Sequence, residues 1–551
     1  MAAAVASQPL PTVVAAPAPA AKAARPPVNK WLVTVSITFG TLMGAIDASI
    51  VNVALEHIRG TVGATIDEIT WISTGFAIAT VLVMPLTAFL GRLFGQKRVY
   101  MISLVIFLVG SALCGLARSL TTLVIFRAIQ GFGAGALQPT EQAILRQTFP
   151  PKEQGMAMAL FALAIMVGPA VGPTLGGYIV DNYAWPWIFY INLPVGALGL
   201  FMVSSFVHEP DDVREANKAA AAQQRKHMDW WGIALLSMGL AGLQYVLEEG
   251  NRNDWFQSPM ILMLTIGSVV LLVAFVIREL TAPVPAVNLT LFKDRVYTAG
   301  TLIGALMFAM LMSVTFLLPV FMQELLGFNA TQSGLALMPR TLVMMVCIPI
   351  VGRLYNKIDP RISVFAGLSF LALAVYMMSH YTLATTAGGV ISSLLVQGLG
   401  FSFMMVPLNT VALATIPRHK MTDATGLNSL LRQIGGSFGL AIFATQLSRF
   451  QVVARASLAS HVTATNPIAQ QRLSMIQGGL MARGLDAATS QVTAVGALAG
   501  SVAQQAAVLA FSKLFMVGVA CFVAVMPLVF FLKQPKDAAP PSPGEHAHVE
   551  V

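Results

Sequence analysis

Fourteen stretches of about twenty residues or more, each apolar and nearly free of charge, leave this chain little choice of solvent. They run approximately over 31–55, 68–91, 98–117, 120–143, 155–180, 187–207, 230–248, 256–278, 297–322, 333–354, 361–380, 387–416, 423–446 and 507–532. A hydrocarbon core of ~30 Å takes about 20 helical residues, so each stretch is long enough to span it. Lipid offers no partner to backbone amides and carbonyls, and a helix satisfies them within its own segment. Composition agrees: 56% of the residues are hydrophobic and 10% charged, against ~25% charged in soluble domains. The expected fold is an all-α membrane protein with 14 transmembrane helices and both termini on one side.

Lysine and arginine say which side. Most of the 33 fall in the N-terminal tail and in alternate loops, which assigns that face and both termini to the cytoplasm. The net charge of +9 is then an orientation signal, and nucleic acid is not implied as a partner. Residues 1–30 are rich in alanine and proline and read as a disordered tail, since prolines interrupt any signal-like core. Residues 533–551 read the same way. The three cysteines sit in apolar runs, the eight histidines form no HExxH pair, and no GxxxxGK[ST] occurs. No metal, cofactor or ATP site is expected, nor an enzyme.

An internal repeat organises the segments. Gln130-Gly131-Phe132-Gly133 in the fourth has its counterpart in Gln397-Gly398-Leu399-Gly400 in the twelfth, 267 residues on. Gly168 and Gly172 match Gly435 and Gly439 at the same offset, and Gly91-Arg92 echoes Gly352-Arg353 at 261. The simplest layout is two six-helix units over 31–207 and 297–532. A cytoplasmic linker (208–229), two inserted helices (230–280) and a second linker (281–296) lie between them. Such repeats place a substrate path at the interface of the halves. Residues 447–506 form the only long outer loop, either a partner-docking hairpin or merely solvated.

Few charges lie deep in these segments. Asp47 in the first and Arg127 in the fourth sit at comparable depth, and a carboxylate there costs ~2.5–3.5 kcal/mol on insertion scales unless partnered or hydrated. The two form either a proton-coupling pair or a static ion pair. Arg340 and Arg432 either anchor an anionic substrate or bond neighbouring carbonyls. Glu141, near the cytoplasmic end of its segment, is expected to pair with Arg146 or with the 92–98 loop, and Lys513 to reach the outer surface. The stretch 164–177, AIMVGPAVGPTLGG, puts Gly168, Gly172 and Gly176 on one helix face, with Pro169, Pro173 and Gly177 beside them. It reads as a tight seam or as a bend and gate, its glycines packing closely at a moving interface between the halves. The 28 methionines suit a pliable lipophilic pocket or ordinary packing.

Taken in order, these features resemble the major facilitator superfamily, in particular the fourteen-helix drug/proton antiporters of the EmrB/QacA type. The likeness covers roughly residues 30–533. It rests on Asp47-Ala-Ser-Ile-Val-Asn52, Arg127-Ala-Ile-Gln130-Gly131, the glycine–proline stretch, Trp187-Ile-Phe-Tyr-Ile-Asn192-Leu-Pro194, Pro339-Arg340 and Arg432-Gln433-Ile-Gly435-Gly436. It implies proton-driven export of lipophilic compounds from an inner membrane by alternating access, with Asp47 and Arg127 as coupling residues. For EmrB members it further implies a periplasmic adaptor and an outer-membrane channel as partners, besides the surrounding lipids. One departure bears on mechanism. The loop motif carried by Arg92, Gly95, Lys97 and Arg98 has arginine at position 92, where the family has an aspartate that latches the cytoplasmic side. The usual latch is therefore not expected.

Overall fold

The computed structural model describes residues 29–209, 229–282, 285–355, 357–463 and 465–532, with 214, 221 and 224 isolated between the first two stretches. The tails read as disordered, up to residue 28 and from 533 on, lie outside the described residues, as does most of the 208–229 linker. Among the described residues the secondary structure is helical, with no strand.

The N-terminal half comprises α1 (Lys30–Val62), a broken α2 (Trp71–Val83 and Thr87–Phe94), α3 (Gln96–Leu116), α4 (Leu120–Thr148), α5 (Gln154–Asn182) and α6 (Trp187–Phe206). Then come α7 (Trp230–Glu249) and α8 (Pro259–Thr281). The C-terminal half follows as α9 (Arg295–Val320), α10 (Ala330–Leu354), α11 (Pro360–Ser379), α12 (Ala387–Val411), α13 (Met421–Ala459), α14 (Pro467–Met481) and α15 (Ala487–Val525). Among the described residues twelve helices are long and apolar enough to cross a membrane, thirteen with the broken α2 counted as one. The fourteenth expected span falls on α13, which carries Asp423, Arg432, Arg449 and Arg455 and does not reach that hydropathy.

The sharp break lies in α2 rather than in the glycine–proline stretch. Its two pieces meet at 55° around Pro85, which lacks a donor for the preceding turn. The expected bend in α5 is not a break: the helix is continuous over Gln154–Asn182. The side chain of Pro169 lies outside the described atoms.

Packing reproduces the repeat pair by pair. α1 lies along α5 as α9 lies along α13, and α3 along α4 as α11 along α12. The paired glycines show why. A Cβ on Gly131 would come within 2.5 Å of the Phe76 carbonyl on α2, and one on Gly133 within 2.4 Å of Phe107 N on α3. In the second half Gly398 lies as close to Arg340 O on α10 (2.7 Å), and Gly400 to Leu371 on α11. One Gln-Gly-X-Gly run thus lets two neighbouring helices approach at once.

The glycine face of α5 is also explained, with a correction. Gly168 faces Ala45 and Gly172 faces Ser49, whose hydroxyl donates to Gly168 O at 2.9 Å. Gly176 faces Ile50, and Gly435 and Gly439 meet Ala305 and Ala309 on α9. Each row is therefore a seam inside one half rather than a contact between halves. Gly177 has open space beside it.

The inserted pair is held by both halves. Arg252 Nη1 donates to Thr70 at 2.8 Å, Gln244 Nε2 to Ser437 on α13 at 2.9 Å, and Trp255 Nε1 to Thr445 at 2.8 Å. α8 is the least buried span, with 17% of its window covered against 69% for α5, and its row of exposed aliphatics suits lipid. The long loop is structured: α13 and α15 run on past the apolar stretches, α14 packs on α15, and the three line a cavity of about 430 Å³. Lys513 is exposed and lies over the Phe450 ring, 4.5 Å from its centroid.

Candidate functional site

Asp47 is fully buried on α1, and three side chains donate to its carboxylate. Arg127 Nη1 donates to Oδ2 at 2.5 Å, while Gln130 Nε2 and Asn192 Nδ2 donate to Oδ1 at 2.9 and 3.0 Å. Arg127 also donates to Gln130 Oε1 at 2.7 Å, and its guanidinium lies 4.1 Å from the Phe76 centroid. Gln130 and Asn192 both reach Ser111 on α3, which donates on to Phe189 O. Helix spacing makes this possible: Arg127 and Gln130, three residues apart, share the face of α4 turned to α1. Because every contact to Asp47 is a donor, the shell suits a carboxylate and satisfies both oxygens.

Depth alone pointed to Asp47 and Arg127, and Gln130 and Asn192 stood in motifs without an assigned part. Ser111 carried no signal, since a lone serine in GSALCG reads as a packing residue.

The second half keeps the frame and changes the charges. Arg340 occupies on α10 the place that Phe76 holds on α2, and donates to Gln397, the counterpart of Gln130, at 3.3 Å. Arg432 is buried on α13 over Gly304, with its Nε and Nη2 unpartnered and Phe308 5.9 Å away. Neither arginine has a carboxylate partner among the described residues. Glu141 does not pair with Arg146: Thr38 donates to its Oε1 at 3.2 Å, Oε2 is unpartnered, and Arg146 bonds Gln154 instead. Arg146 follows Glu141 on α4 by five residues, about 140° around the helix, so the two side chains leave different faces.

A second constellation closes one end of the molecule, the end bearing Arg92, Arg98 and Arg353, called here the basic end. Arg92 Nη1 donates to Asp423 Oδ1 in the first turn of α13 at 2.5 Å. Its other nitrogens reach Gln224 and the Ala286 carbonyl at 3.2 and 3.0 Å. Gln96 donates to Thr422 at 2.6 Å, Gln147 to Arg418 O at 3.3 Å, and Gln142 to Asn409 at 3.5 Å. The last pair are 267 apart, so a residue meets its own counterpart on the axis relating the halves. Arginine at 92 does not leave this side untied. The charge is reversed, and an acid on the opposite half receives it. Gly95 (φ 85°) makes the adjoining turn and leaves room for Glu209, which accepts from Lys97 N at 2.9 Å. Lys97 Nζ donates to Ser204 O, and Arg98 is exposed.

Comparison with known proteins agrees with this architecture. The family model of the Major Facilitator Superfamily matches residues 37–440. The multidrug export protein EmrB of Haemophilus influenzae is 34% identical over 515 residues, covering 92% of this chain and 96% of that one. The fatty acid resistance protein FarB of Neisseria gonorrhoeae is 31% identical, covering 91% and 96%. Among solved structures, the human organic anion transporter MFSD10 superposes with a TM-score of 0.56 at 14% identity, covering 90% of this chain and 100% of that one. At that identity the likeness concerns the fold alone.

Proposed function

The chain belongs to the major facilitator superfamily, and from a transporter of that family we infer a proton-coupled exporter of lipophilic and amphipathic compounds. The observation that carries this reading is the buried carboxylate of Asp47 inside a complete shell of donors from α4 and α6. The printed names of the relatives, multidrug export and fatty acid resistance, support the substrate class.

In this reading 14 segments span an inner membrane, both termini are cytoplasmic, and the basic end faces the cytoplasm. Residues 31–207 and 297–532 are the rocking halves, and 230–280 brace them. The conformation described is closed toward the cytoplasm by Arg92–Asp423 and its neighbours. Opening that side breaks those contacts and shifts α1 against α4. Before that opening, a proton arriving from the outer side neutralises the Asp47 carboxylate and frees it from Arg127, so the pair parts without leaving a buried carboxylate unpaired. Once the cytoplasmic side is open, Arg127 returns to Asp47 and the proton leaves to the cytoplasm, so each cycle carries a proton inward as substrate moves outward. The α13–α14–α15 projection then faces the periplasm as the docking element for an adaptor leading to an outer-membrane channel.

The test is substrate-driven proton flux in proteoliposomes. Asp47→Asn keeps the shape of the site and removes the titrating group, so flux should fall to background while the protein remains folded. Unchanged flux overturns the coupling assignment. The likeness to FarB favours a second reading, export of one class of fatty acid. A substrate panel in the same vesicles separates the two, because a single accepted compound would favour the dedicated exporter.

A further inference from the structure

The buried polar groups that lack partners are not scattered evenly. On α13, Asn428 and Arg432 stand one turn apart on one face, with both side-chain polar atoms of Asn428 and Nε and Nη2 of Arg432 unpartnered. On α9, which lies along α13, the Thr301 hydroxyl is likewise buried and unpartnered. Three residues beyond it, Gly304 makes room for the guanidinium. A Cβ there would sit 3.0 Å from Arg432 Nε. Asn428 and Thr301 are fully buried and Arg432 is 5% exposed. A buried donor left without a partner costs about 1–3 kcal/mol, and more when it is charged. Several together on one seam, around a cation with no acid facing it, describe a site shaped for something else.

The seam also has a gate. Tyr297, one turn before Thr301, donates to Ala424 O at 2.9 Å, and Asp423 beside it takes Arg92. The polar cluster lies directly inside that closure, so breaking the latch opens a way to it from the basic end. In the corresponding seam of the first half, α1 on α5, the position of Arg432 is taken by the buried Ile165.

We propose that the α9–α13 seam binds the acidic head of an anionic amphiphile, a carboxylate on an aliphatic tail, held by Arg432 with Asn428 and Thr301 donating alongside. The proposal rests on reading the chain as an exporter of amphipathic compounds and adds the charge of the substrate. Arg432 supplies two adjacent N–H groups, the fork that matches a carboxylate. The amide of Asn428 and the hydroxyl of Thr301 complete a set of donors. Phe308 and the apolar faces of the two helices are suited to the tail.

The test measures binding of dodecanoate to the purified protein without any proton gradient, and 1-dodecanol serves as the uncharged probe of equal length. A failure of proton coupling leaves this measurement intact, so the two readings fail separately. Arg432→Gln should weaken dodecanoate about tenfold or more, the scale of one charge-assisted contact, and leave dodecanol unchanged. Arg432→Lys should restore part of the loss. Asn428→Asp, equal in size, sets a carboxylate beside Arg432 and should exclude dodecanoate while the melting temperature holds. The proposal is overturned if wild-type protein shows no saturable dodecanoate binding. Equal dodecanoate binding by all variants overturns it too, as does a parallel loss of both probes.

Discussion

The halves meet along two sides that the repeat makes equivalent, and the sides differ in kind. On one, the Gly91–Arg92 turn docks on the start of α13. There Gly91 lies 3.4 Å, measured from a built Cβ, from Thr422, and Arg92 forms an ion pair with Asp423. On the other, Gly352 docks on the start of α5, with Gly155 and Ala159 as its neighbours and Met156 where Asp423 would correspond. The first junction is polar and is further covered by α7 and α8. The second is backbone against backbone. Toward the far end it widens into an apolar crevice of about 470 Å³ between Val171, Leu175 and Tyr178 on α5 and Met338, Leu342 and Met345 on α10. One side is tied by charges that can be exchanged, the other by shape that cannot. A hinged closure needs both: a contact that tolerates repeated breaking and a surface that returns to the same register.

The largest effect is expected at the shape-determined side. A Cβ on Gly155 would lie 2.8 Å from both Gly352 O and Tyr355 Cβ, so Gly155→Leu cannot close without moving a helix. Overpacking of that kind costs of the order of 1–3 kcal/mol. It should abolish export while surface amounts stay normal, with cysteines at the basic end staying labelled. Normal export would show that the junction yields more than its backbone contacts suggest.

An intermediate effect is expected at the polar side. Arg92→Asp or Asp423→Arg alone sets like charges together in a partly exposed pair, at a cost of about 1–2 kcal/mol and a severalfold loss of export. The double exchange should recover most of it. Failure to recover would assign the weight of the junction to Gln224 and the Ala286 carbonyl instead. The smallest effect belongs to the brace. Trp255→Phe removes the bond to Thr445, worth about 1 kcal/mol, and should lower the melting temperature by roughly a degree without changing transport.

Much of this was legible in the chain because lipid imposes a coarse code. Apolar length placed the helices, and the glycine offsets identified which pairs would pack alike, since close approach needs a small residue at both copies. Asp47 and Arg127 stood out because charge at that depth needs a partner. What stayed hidden depended on partners distant in sequence. Asp423 looks like an ordinary first-turn acid until α13 is set against Arg92. The direction of the α5 glycine face could not follow from periodicity, which gives a stripe and not what the stripe meets. For Glu141, nearness in sequence points to Arg146, whereas the group that donates to it, Thr38, lies on another helix.

The contact between Gln142 and Asn409 has a parallel in symmetric dimers. Across the axis of a symmetric dimer a residue touches its own copy, and any replacement alters both sides of the contact together. Here the two copies belong to one polypeptide, so the sides can vary one at a time. Glutamine faces asparagine, arginine at 92 has an acid opposite, and arginine at 353 has none among the described residues. Joining the halves in a single chain turns a self-complementary surface into two independent ones, which is what allows one to serve as the clasp and the other as the bearing.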